Sequence, residues 1–357
     1  MSSKESTGAS FGAATLLDVA ERAGVSRATA SLVVRDTGRV STATRERVRR
    51  AMSELGYVYD RAAAAMRSHS TRSIGVIVTH VGNPFFAELI GGFQEELQSL
   101  GYSCILTTSG DDVQQQQRAL DELRSHKVAA VAFAPATGTG AEFTANLEHL
   151  ELPFVMMTRQ IRDNDPVPYV GPDDVAGGRL AAEHLLSHGA RTFAYLGGAS
   201  TVQSRADRRA GLAEAMSAAG LDTASVIDIT SETSGRGGLR AAEQMLTQHD
   251  MPDAIMCHSD SVAFGVYRAL RIRDLAASVR VTGYDDIATA ELWEPPLTTV
   301  ATHPAALGQR AARHLIDQLE NDTNAGFLRV LPTLRVRQSC GCSAVLARDK
   351  ETLVQTG

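Results

Sequence analysis

Short hydroxyl and cationic side chains stand together at the start of an amphipathic segment near the N-terminus. In the stretch 15-TLLDVAERAGVSRATASLVVRD-36 these side chains are Ser26, Arg27, Thr29 and Ser31. Hydroxyl and guanidinium groups in the first turns of a helix can reach the phosphates and base edges of DNA. The pattern therefore indicates a DNA contact surface, although an ordinary three-helix cap whose polar residues face water would carry the same short pattern.

Two helices joined by a tight turn must position these side chains. A 3.6-residue apolar pattern starts at Leu16, and Gly24 supplies the permissive dihedral that ends the first helix. Ser26 can cap the second helix, and Ala30 and Val33 of that helix point back toward the first. A tight turn followed by a polar and cationic helix start is typical of a helix-turn-helix.

The N-terminal part of the chain is basic, whereas the rest is acidic. A third helical pattern opens at Ser41 or Thr42 and stops at Gly56. Residues 15–73 contain eleven arginines and six acidic residues, while the whole chain of 357 residues has a net charge of -6. A basic end on an acidic body suits a protein in which one end meets a polyanion.

The remainder of the chain alternates apolar strand patterns with amphipathic helix patterns. This alternation predicts an α/β fold of parallel, doubly wound sheets covered on both faces. Eight strands exceed one ordinary sheet, so a change near 169-YVGPDD-174 predicts two similar subdomains. The predicted strands are 74–78, 104–108, 128–134, 153–157, 192–197, 225–229, 254–257 and 279–284, with helices such as 85–100 and 205–219 between them.

The sequence lacks the motifs of several other classes of protein. The chain has no HExxH, no GxSxG and no Walker loop, and 138-GTG-140 is too short for a nucleotide cradle, so we expect no enzyme and no cofactor. Cys340 and Cys342 are too close for ordinary disulfide geometry and lack the spacing of a zinc site, so we expect no metal. No apolar run reaches the roughly 20 residues of a membrane span, and no secretory signal is evident, which predicts a cytoplasmic location.

Several motifs in the right order resemble one family. The stretch 16-LLDVAERAGVSRATASLVVRDTGRVSTATRERVRRAMSELGY-57 is similar to the headpiece of the LacI/GalR family of bacterial transcription regulators. The stretch 73-SIGVIVTHVGNPFFAELIGGFQEEL-97 resembles that family's first core strand and helix, 283-GYDDIATAELWEPPLTTV-300 resembles its late signature, and 338-QSCGC-342 its terminal strand. The resemblance covers roughly residues 15–343.

The resemblance implies a division of the chain into five parts. We expect a flexible arm at 1–14, a helix-turn-helix headpiece at 15–59, a hinge helix or linker at 60–71, an effector-binding and dimerisation core at 72–343, and a tail at 344–357. The core should have the fold of periplasmic sugar-binding proteins, with an effector cleft between two subdomains.

The hinge and the end of the recognition helix carry further DNA contacts in this interpretation. Met66 occupies the place of an apolar wedge that the family inserts into the minor groove, and a flexible apolar side chain can part base steps. A passive alanine-rich spacer is the alternative. Arg35 stands where the family often has a different residue, so we include it among the DNA contacts but transfer no base preference.

The effector contacts should follow the carboxyl ends of the strands, where open parallel sheets bind ligands. Phe85 and Phe86 offer an aromatic face to a sugar or heterocycle, with core packing as the alternative. Arg208 and Asp285 match effector-binding positions of the family. The complete predicted set is Asn83, Phe85, Phe86, Thr158, Arg159, Arg208, Ser259, Asp260 and Asp285.

These observations predict a dimeric repressor that binds a near-palindromic operator and responds to a small effector, most plausibly a sugar or sugar derivative. There are two alternatives. A solute receptor shares the core fold but lacks a reason for the basic helical head. A sugar-metabolising enzyme on a similar scaffold would need a base, nucleophile or metal cluster that the sequence does not show. We expect no membrane partner.

Overall fold

The structure is a computed structural model that describes residues 14–34, 36–57, 71–161, 167–321 and 326–342. The chain divides into two compact units, residues 1–71 and 72–357, which are described separately. Arg35 and Met66, with nearly all of the predicted arm and hinge and the whole of the predicted tail, lie outside the described residues.

Within residues 14–57, apart from Arg35, the first unit forms the helices α1 (Leu16–Ala23), α2 (Arg27–Val34) and α3 (Thr42–Leu55). The side chain of Thr15 caps α1, and the side chain of Asp18 bonds back to the Thr15 amide, which completes a capping box. Gly24 ends α1 with φ of 62°, in the left-handed region that a residue without Cβ adopts at little cost. The predicted start and end of the first helix are confirmed.

Small apolar side chains form the core of this unit. Val19, Ala30 and Val48 are fully buried, one from each helix, and Ala30 and Val33 of α2 pack toward α1 as predicted. A core of alanine and valine lets helix backbones approach closely, because little side-chain volume separates them. An ion pair of 2.7 Å between Arg22 and Glu54 also links α1 to α3 at the surface.

The second unit is built from alternating strands and helices. Its strands are β1 (Ser73–Val78), β2 (Ser103–Thr108), β3 (Ala130–Phe133), β4 (Phe154–Met157), β5 (Tyr169–Pro172), β6 (Phe193–Leu196), β7 (Ile227–Ile229), β8 (Ala254–Cys257), β9 (Arg280–Asp285), β10 (Thr298–Ala301), β11 (Phe327–Val330) and β12 (Thr333–Arg335). Its α-helices are α4 (Pro84–Ser99), α5 (Val113–Ser125), α6 (Ala141–His149), α7 (Asp174–Ser187), α8 (Gln203–Ala218), α9 (Gly235–Gln248), α10 (Asp260–Ile272), α11 (Thr289–Leu292) and α12 (Pro304–Asn321).

The strands form two six-stranded sheets, as the predicted pair of subdomains requires. The first sheet has the order β11-β5-β4-β3-β1-β2, and the second has the order β12-β10-β9-β8-β6-β7. Every pairing is parallel except that of β10 with β12. Apolar clusters lie on both faces of each sheet, which is the doubly wound arrangement that buried parallel strands need.

The chain passes between the two sheets more than once. After β10 of the second sheet, helix α12 returns to the first subdomain and buries Leu307, Ala311 and Leu315 in the core around α4. Strand β11 then joins the first sheet and β12 joins the second. These crossings place both sheets in one folded unit and bring their carboxyl ends to a common region.

The predicted terminal strand 338–342 is wrong. The last strand of the described residues is β12, and the chain from Gln338 to Gly341 forms a turn closed by the Gly341 amide, which donates to the Gln338 carbonyl over 3.0 Å. Gly341 has φ of 86°, which an extended strand does not accommodate. Among the described residues, no helix combines the length and apolar character needed to cross a membrane.

Candidate functional site

A cavity of about 1000 Å³ opens at the carboxyl ends of strands from both sheets. Residues from the ends of β1, β2, β4, β5, β7, β8 and β9 line it, which is where a ligand binds in open parallel sheets. Eight of the nine predicted effector contacts lie on its wall: Asn83, Phe85, Phe86, Thr158, Arg159, Arg208, Ser259 and Asp285.

Asp285 presents a buried carboxylate to this cavity. It ends β9 and is only 6% exposed, and its carbonyl accepts hydrogen bonds from the amide and hydroxyl of Thr302. Within the described part of the chain, no group donates a hydrogen bond to the carboxylate itself. Burial raises the pKa of Asp285 well above its ordinary value, and Asp260 and Asp174 add to that rise while Arg208 opposes it. An acidic group held in this state favours a ligand that supplies hydrogen-bond donors.

Three wall residues have left-handed backbones although none is glycine. Thr158 follows β4 with φ of 64°, Asp285 has φ of 113° and Asp111 has φ of 61°. Such conformations are strained for residues with a Cβ, and they persist where the surrounding structure enforces them, often at ligand sites. The Thr158 amide donates to the Val170 carbonyl over 2.9 Å, which fixes this turn against β5.

Arg208 is buried and its guanidinium is already engaged by the protein. It donates to the Asp174 carboxylate over 2.8 Å and to the His258 carbonyl, and its Cζ lies 3.5 Å from the centroid of the Tyr284 ring. Burial alone would lower the pKa of Arg208, but Asp174 and Tyr284 more than reverse this and keep the cation charged. Arg208 therefore offers its remaining donors to the cavity from a fixed position.

Close approach of two helices sets the place of Arg208. A Cβ added at Gly178 of α7 would lie 2.1 Å from the Arg208 carbonyl of α8, and one added at Gly211 of α8 would lie 2.1 Å from the Val175 carbonyl of α7. Only residues without a Cβ allow backbones to pack at this distance. Asp174, at the start of α7, thereby reaches Arg208.

The first subdomain contributes two aromatic rings to the cavity wall. Asn83 caps α4 by accepting a hydrogen bond of 3.1 Å from the Phe85 amide. The rings of Phe85 and Phe86 meet edge to face with centroids 5.4 Å apart. Both rings are largely buried in the core cluster and also line the cavity, so they pack in the core, and their contact with a ligand stays a prediction.

Arg159 is held on the cavity wall by an acidic residue that was not predicted. Its guanidinium pairs with Asp111 over 2.6 Å and also donates to the Pro135 carbonyl. Asp111 also accepts hydrogen bonds from the amide and hydroxyl of Thr137. The rule that selected residues after strand ends would have found Asp111 if it had been applied to β2, which ends at Thr108.

Asp260 does not lie on the cavity wall, which corrects its prediction as an effector contact. It is fully buried at the start of α10, where its two carboxylate oxygens accept hydrogen bonds from the Thr299 hydroxyl and the Ile287 amide. The helix turns this side chain toward β10, whereas the preceding residue, Ser259, caps α10 and faces the cavity. A strand-end position in the sequence does not reveal which way the side chain points.

His258 and a loop after β7 complete the wall. Burial lowers the pKa of His258 well below its ordinary value, with Arg208, Arg159 and Arg205 adding to the effect, and its Nδ1 lies 3.1 Å from the Tyr195 hydroxyl. The imidazole is therefore neutral, as expected of a satisfied wall residue. The loop after β7, which is outside the predicted contact set, adds the cavity residues Thr230, Ser231, Glu232, Thr233 and Ser234.

Charged residues beside these positions have partners within the protein. Arg205 is buried and pairs with Asp228, which also accepts from Arg209 over 3.2 Å. Asp286 accepts from Arg337 over 2.7 Å. These charges are satisfied within the protein and do not line the cavity.

The predicted DNA contacts of the first unit lie at the start of α2. The Ser26 hydroxyl accepts from the Thr29 amide over 3.1 Å and lies 2.9 Å from the Thr29 hydroxyl, so it caps the helix as predicted. Arg27 is exposed, while Thr29 and Ser31 are half-buried. Exposed backbone amides and a cation at a helix start are suited to phosphate or base-edge contacts.

Two family descriptions match the chain in tandem. Residues 15–60 match the family described as bacterial regulatory proteins, lacI family. Residues 71–333 match the family described as periplasmic binding proteins and sugar binding domain of LacI family. Together they extend over most of the chain, in the order that the sequence motifs predicted.

Curated relatives match over nearly their whole length. The chain is 30% identical over 330 residues to the ribose operon repressor of Haemophilus influenzae, covering 91% of this chain and 98% of that protein. It is 32% identical over 308 residues to the HTH-type transcriptional regulator DegA of Bacillus subtilis, covering 84% and 89%.

Solved structures agree with this assignment. The lac repressor dimer bound to operator and an anti-inducer matches with a TM-score of 0.80 and 26% identity, over 92% of this chain and 99% of that one. The transcriptional regulator CelR in complex with cellobiose matches with a TM-score of 0.69 and 30% identity, over 91% and 99%. The chain belongs to the LacI family of bacterial regulatory proteins.

Proposed function

We propose that the chain is a dimeric repressor whose affinity for a near-palindromic operator is lowered by a sugar or sugar derivative bound in the cavity of the second unit. As a LacI-family member, the chain is a DNA-binding transcriptional regulator and not an enzyme. Such a regulator acts where the chromosome is, in the cytoplasm. The division into arm, headpiece, hinge, core and tail at the predicted boundaries is part of this proposal.

The Asp285 carboxylate is the main observation that indicates the class of ligand. Burial raises the pKa of Asp285, and no described residue donates a hydrogen bond to its carboxylate, so ligand hydroxyls that donate to it would stabilise the charged form, which can accept from two of them. The rings of Phe85 and Phe86 supply an apolar face for a sugar ring, and Arg208 and Arg159 supply donors. The similarity to the ribose operon repressor and to CelR in complex with cellobiose favours the same ligand class. The proposed effector contacts are the eight predicted residues on the wall, without Asp260.

The test is calorimetry of the full chain against ribose, cellobiose, galactosides and purines. One sugar is expected to bind, and Asp285→Asn should weaken its binding by about tenfold or more, because a hydrogen bond to a charged group contributes about 1.5 to 3 kcal/mol. Asp286→Asn is the matched control, since it changes the next carboxylate in the chain, which pairs with Arg337 outside the cavity. Unchanged affinity in Asp285→Asn would refute this placement of the ligand.

DNA recognition is proposed for the start of α2, with Ser26, Arg27, Thr29, Ser31 and Arg35 as contacts and Met66 as a minor-groove wedge. Two headpieces are needed, because a single module buries too little DNA surface for high specificity. Met66→Ala should weaken operator binding and reduce DNA bending in permutation gels, while sugar affinity stays the same. Unchanged bending and operator affinity would support a passive spacer instead.

A ligand that contacts both subdomains favours one angle between them, and that angle is proposed to set operator affinity. The coupling cannot exceed the ligand's differential affinity for the two arrangements, typically about 1 to 3 kcal/mol, or roughly 5- to 150-fold. Fluorescence anisotropy with labelled operator, with and without the sugar, measures this factor. Tighter operator binding with the sugar would identify a corepressor and contradict the proposed induction.

A further inference from the structure

We infer that the chain holds a transition-metal ion of the zinc type between the end of α7 and the turn that follows β12, with His184, His188, Cys340 and Cys342 as ligands. The site is separate from the effector cavity, since none of these four residues lines it. It is also independent of the proposed function.

The ligand atoms already lie near the spacing that such an ion requires. Cys342 Sγ lies 3.2 Å from His188 Nε2 and 3.8 Å from His184 Nε2. A tetrahedral ion with Zn–S of about 2.3 Å and Zn–N of about 2.0 Å holds its ligand atoms roughly 3.3 to 3.8 Å apart. The ligand atoms of His184, Cys340 and Cys342 all lie within 4.8 Å of one another, so small side-chain rotations complete the set.

Local structure directs the four side chains to one point. His184 and His188 are four residues apart at the end of α7, so they share one face of the helix, and their ring centroids lie 4.7 Å apart. Gly341, between the cysteines, has φ of 86°, and its turn brings both sulfurs to the same side. The histidines precede the cysteines by more than 150 residues, which is why spacing within the sequence did not indicate a zinc site.

A neighbouring hydroxyl is placed to support a thiolate. Thr298 Oγ1 accepts a hydrogen bond of 2.8 Å from the Arg337 amide, which directs its own proton elsewhere. That hydroxyl lies 3.1 Å from Cys340 Sγ and donates to it. Donors of this kind orient ligands and stabilise their charge in metal sites.

Two cysteines and two histidines suit a borderline-soft divalent ion such as Zn²⁺, and Co²⁺ can replace it as a spectroscopic probe. Cys340 is fully buried and Cys342 nearly so, while the histidines are half-buried, so the ion would close the site rather than leave a position for a substrate. The ion would fasten the segment after β12 to α7, whose first residue, Asp174, binds Arg208.

The test is titration of the reduced, metal-free full chain with Co²⁺. We expect one Co²⁺ per chain, a near-ultraviolet band from sulfur-to-cobalt charge transfer, visible bands of tetrahedral Co²⁺, and displacement of both by Zn²⁺. Cys342→Ser should reduce the intensity of the charge-transfer band, because it removes one of the two sulfur ligands, and should weaken Co²⁺ binding at least about tenfold. His188→Asn also removes a ligand, so it should weaken Co²⁺ binding to a similar extent.

Two matched controls separate this site from other thiols and imidazoles. Cys104→Ser changes a half-buried thiol elsewhere, and His249→Asn changes an exposed imidazole, so both should bind Co²⁺ as the unmodified chain does. Zn²⁺ should raise the thermal midpoint of the unmodified chain and both controls but not of Cys342→Ser. His188 is half-buried, so His188→Asn should fold and report binding even if Cys342→Ser does not. An octahedral Co²⁺ spectrum without a sulfur band, or unmodified affinity in His188→Asn, would overturn the assignment.

Discussion

At the residue scale, Arg208 combines a structural role with its proposed ligand contact. Its partner Asp174 is buried, and burial raises the pKa of Asp174 while Arg208 opposes that rise. Removing one member of a buried ion pair leaves the other without compensation, so Arg208→Ala should lower the free energy of unfolding by about 3 to 5 kcal/mol.

Chemical denaturation followed by circular dichroism measures that loss. The double variant Arg208→Ala with Asp174→Ala should recover part of the stability, because it removes the stranded carboxylate as well. Equal stability of the unmodified chain and Arg208→Ala would contradict the ion pair as a structural element. Loss of sugar binding in Arg208→Ala therefore has to be compared with the unfolding data before it is assigned to ligand contact.

Asp260 should make the stability of the second unit depend on pH. Burial, the first cause, raises the pKa of Asp260 from its ordinary 3.8 to about 7, although Thr299 and the Ile287 amide oppose the shift. A folded state with the higher pKa binds more protons, so the contribution of Asp260 to the unfolding free energy falls as pH rises from about 4 to about 7.

Denaturation at several pH values, on the unmodified chain and on Asp260→Asn, isolates this contribution. Asp260→Asn cannot ionise at this position. As pH rises through that interval, the unfolding free energy of the unmodified chain should therefore fall relative to that of Asp260→Asn. Parallel pH profiles would show that Asp260 keeps an ordinary pKa. Comparison with the variant is needed because Asp174 and Asp285 also have raised pKa values.

At the element scale, the contact between α7 and α8 sets the position of Arg208. Gly178→Ala would force a methyl group against the Arg208 carbonyl of α8, so we expect a loss of about 1 to 3 kcal/mol in unfolding free energy and weaker sugar binding. Gly91→Ala in α4 is the control, because a Cβ there meets nothing within 4 Å. That change should stabilise the protein by about 0.5 to 1 kcal/mol. A stable Gly178→Ala with unmodified sugar affinity would show that the helix contact tolerates displacement.

At the scale of the whole molecule, the basic first unit on an acidic chain predicts salt-dependent operator binding. Each phosphate neutralised by a cation releases counterions, so the logarithm of the operator affinity should fall linearly with the logarithm of the salt concentration. Arg27→Ala should weaken binding to all DNA sequences and reduce the slope by about 1 if Arg27 contacts a phosphate. Anisotropy titrations from low to high salt measure both values.

Arg124→Ala is the control for this experiment, since it removes an exposed arginine of the second unit that pairs with Asp121. It should leave operator affinity and the salt slope unchanged. A salt-independent complex, or one chain per operator at saturation, would contradict a dimer that binds through phosphate contacts.

The sequence by itself determined the local elements and their order. The capped start at Thr15, the glycine ends at Gly24 and Gly56, and the apolar patterns of most strands are set by interactions within a few residues, which the sequence displays directly. The same local signals failed for β5, β10, β11 and β12, which are three or four residues long and take their place from the strands they pair with.

Only the tertiary structure decided which side chains meet. Strand-end positions in the sequence selected seven wall residues correctly, and the family resemblance added Arg208. The same rule also selected Asp260, because the direction of a side chain depends on the helix that follows. Asp111 was missed because its role comes from its ion pair with Arg159, which is 48 residues away in the sequence. The four proposed metal ligands are the extreme case: Cys340 and Cys342 looked unsuited to a zinc site until folding brought His184 and His188 to them. Contacts across such separations depend on packing, which no short window of sequence contains.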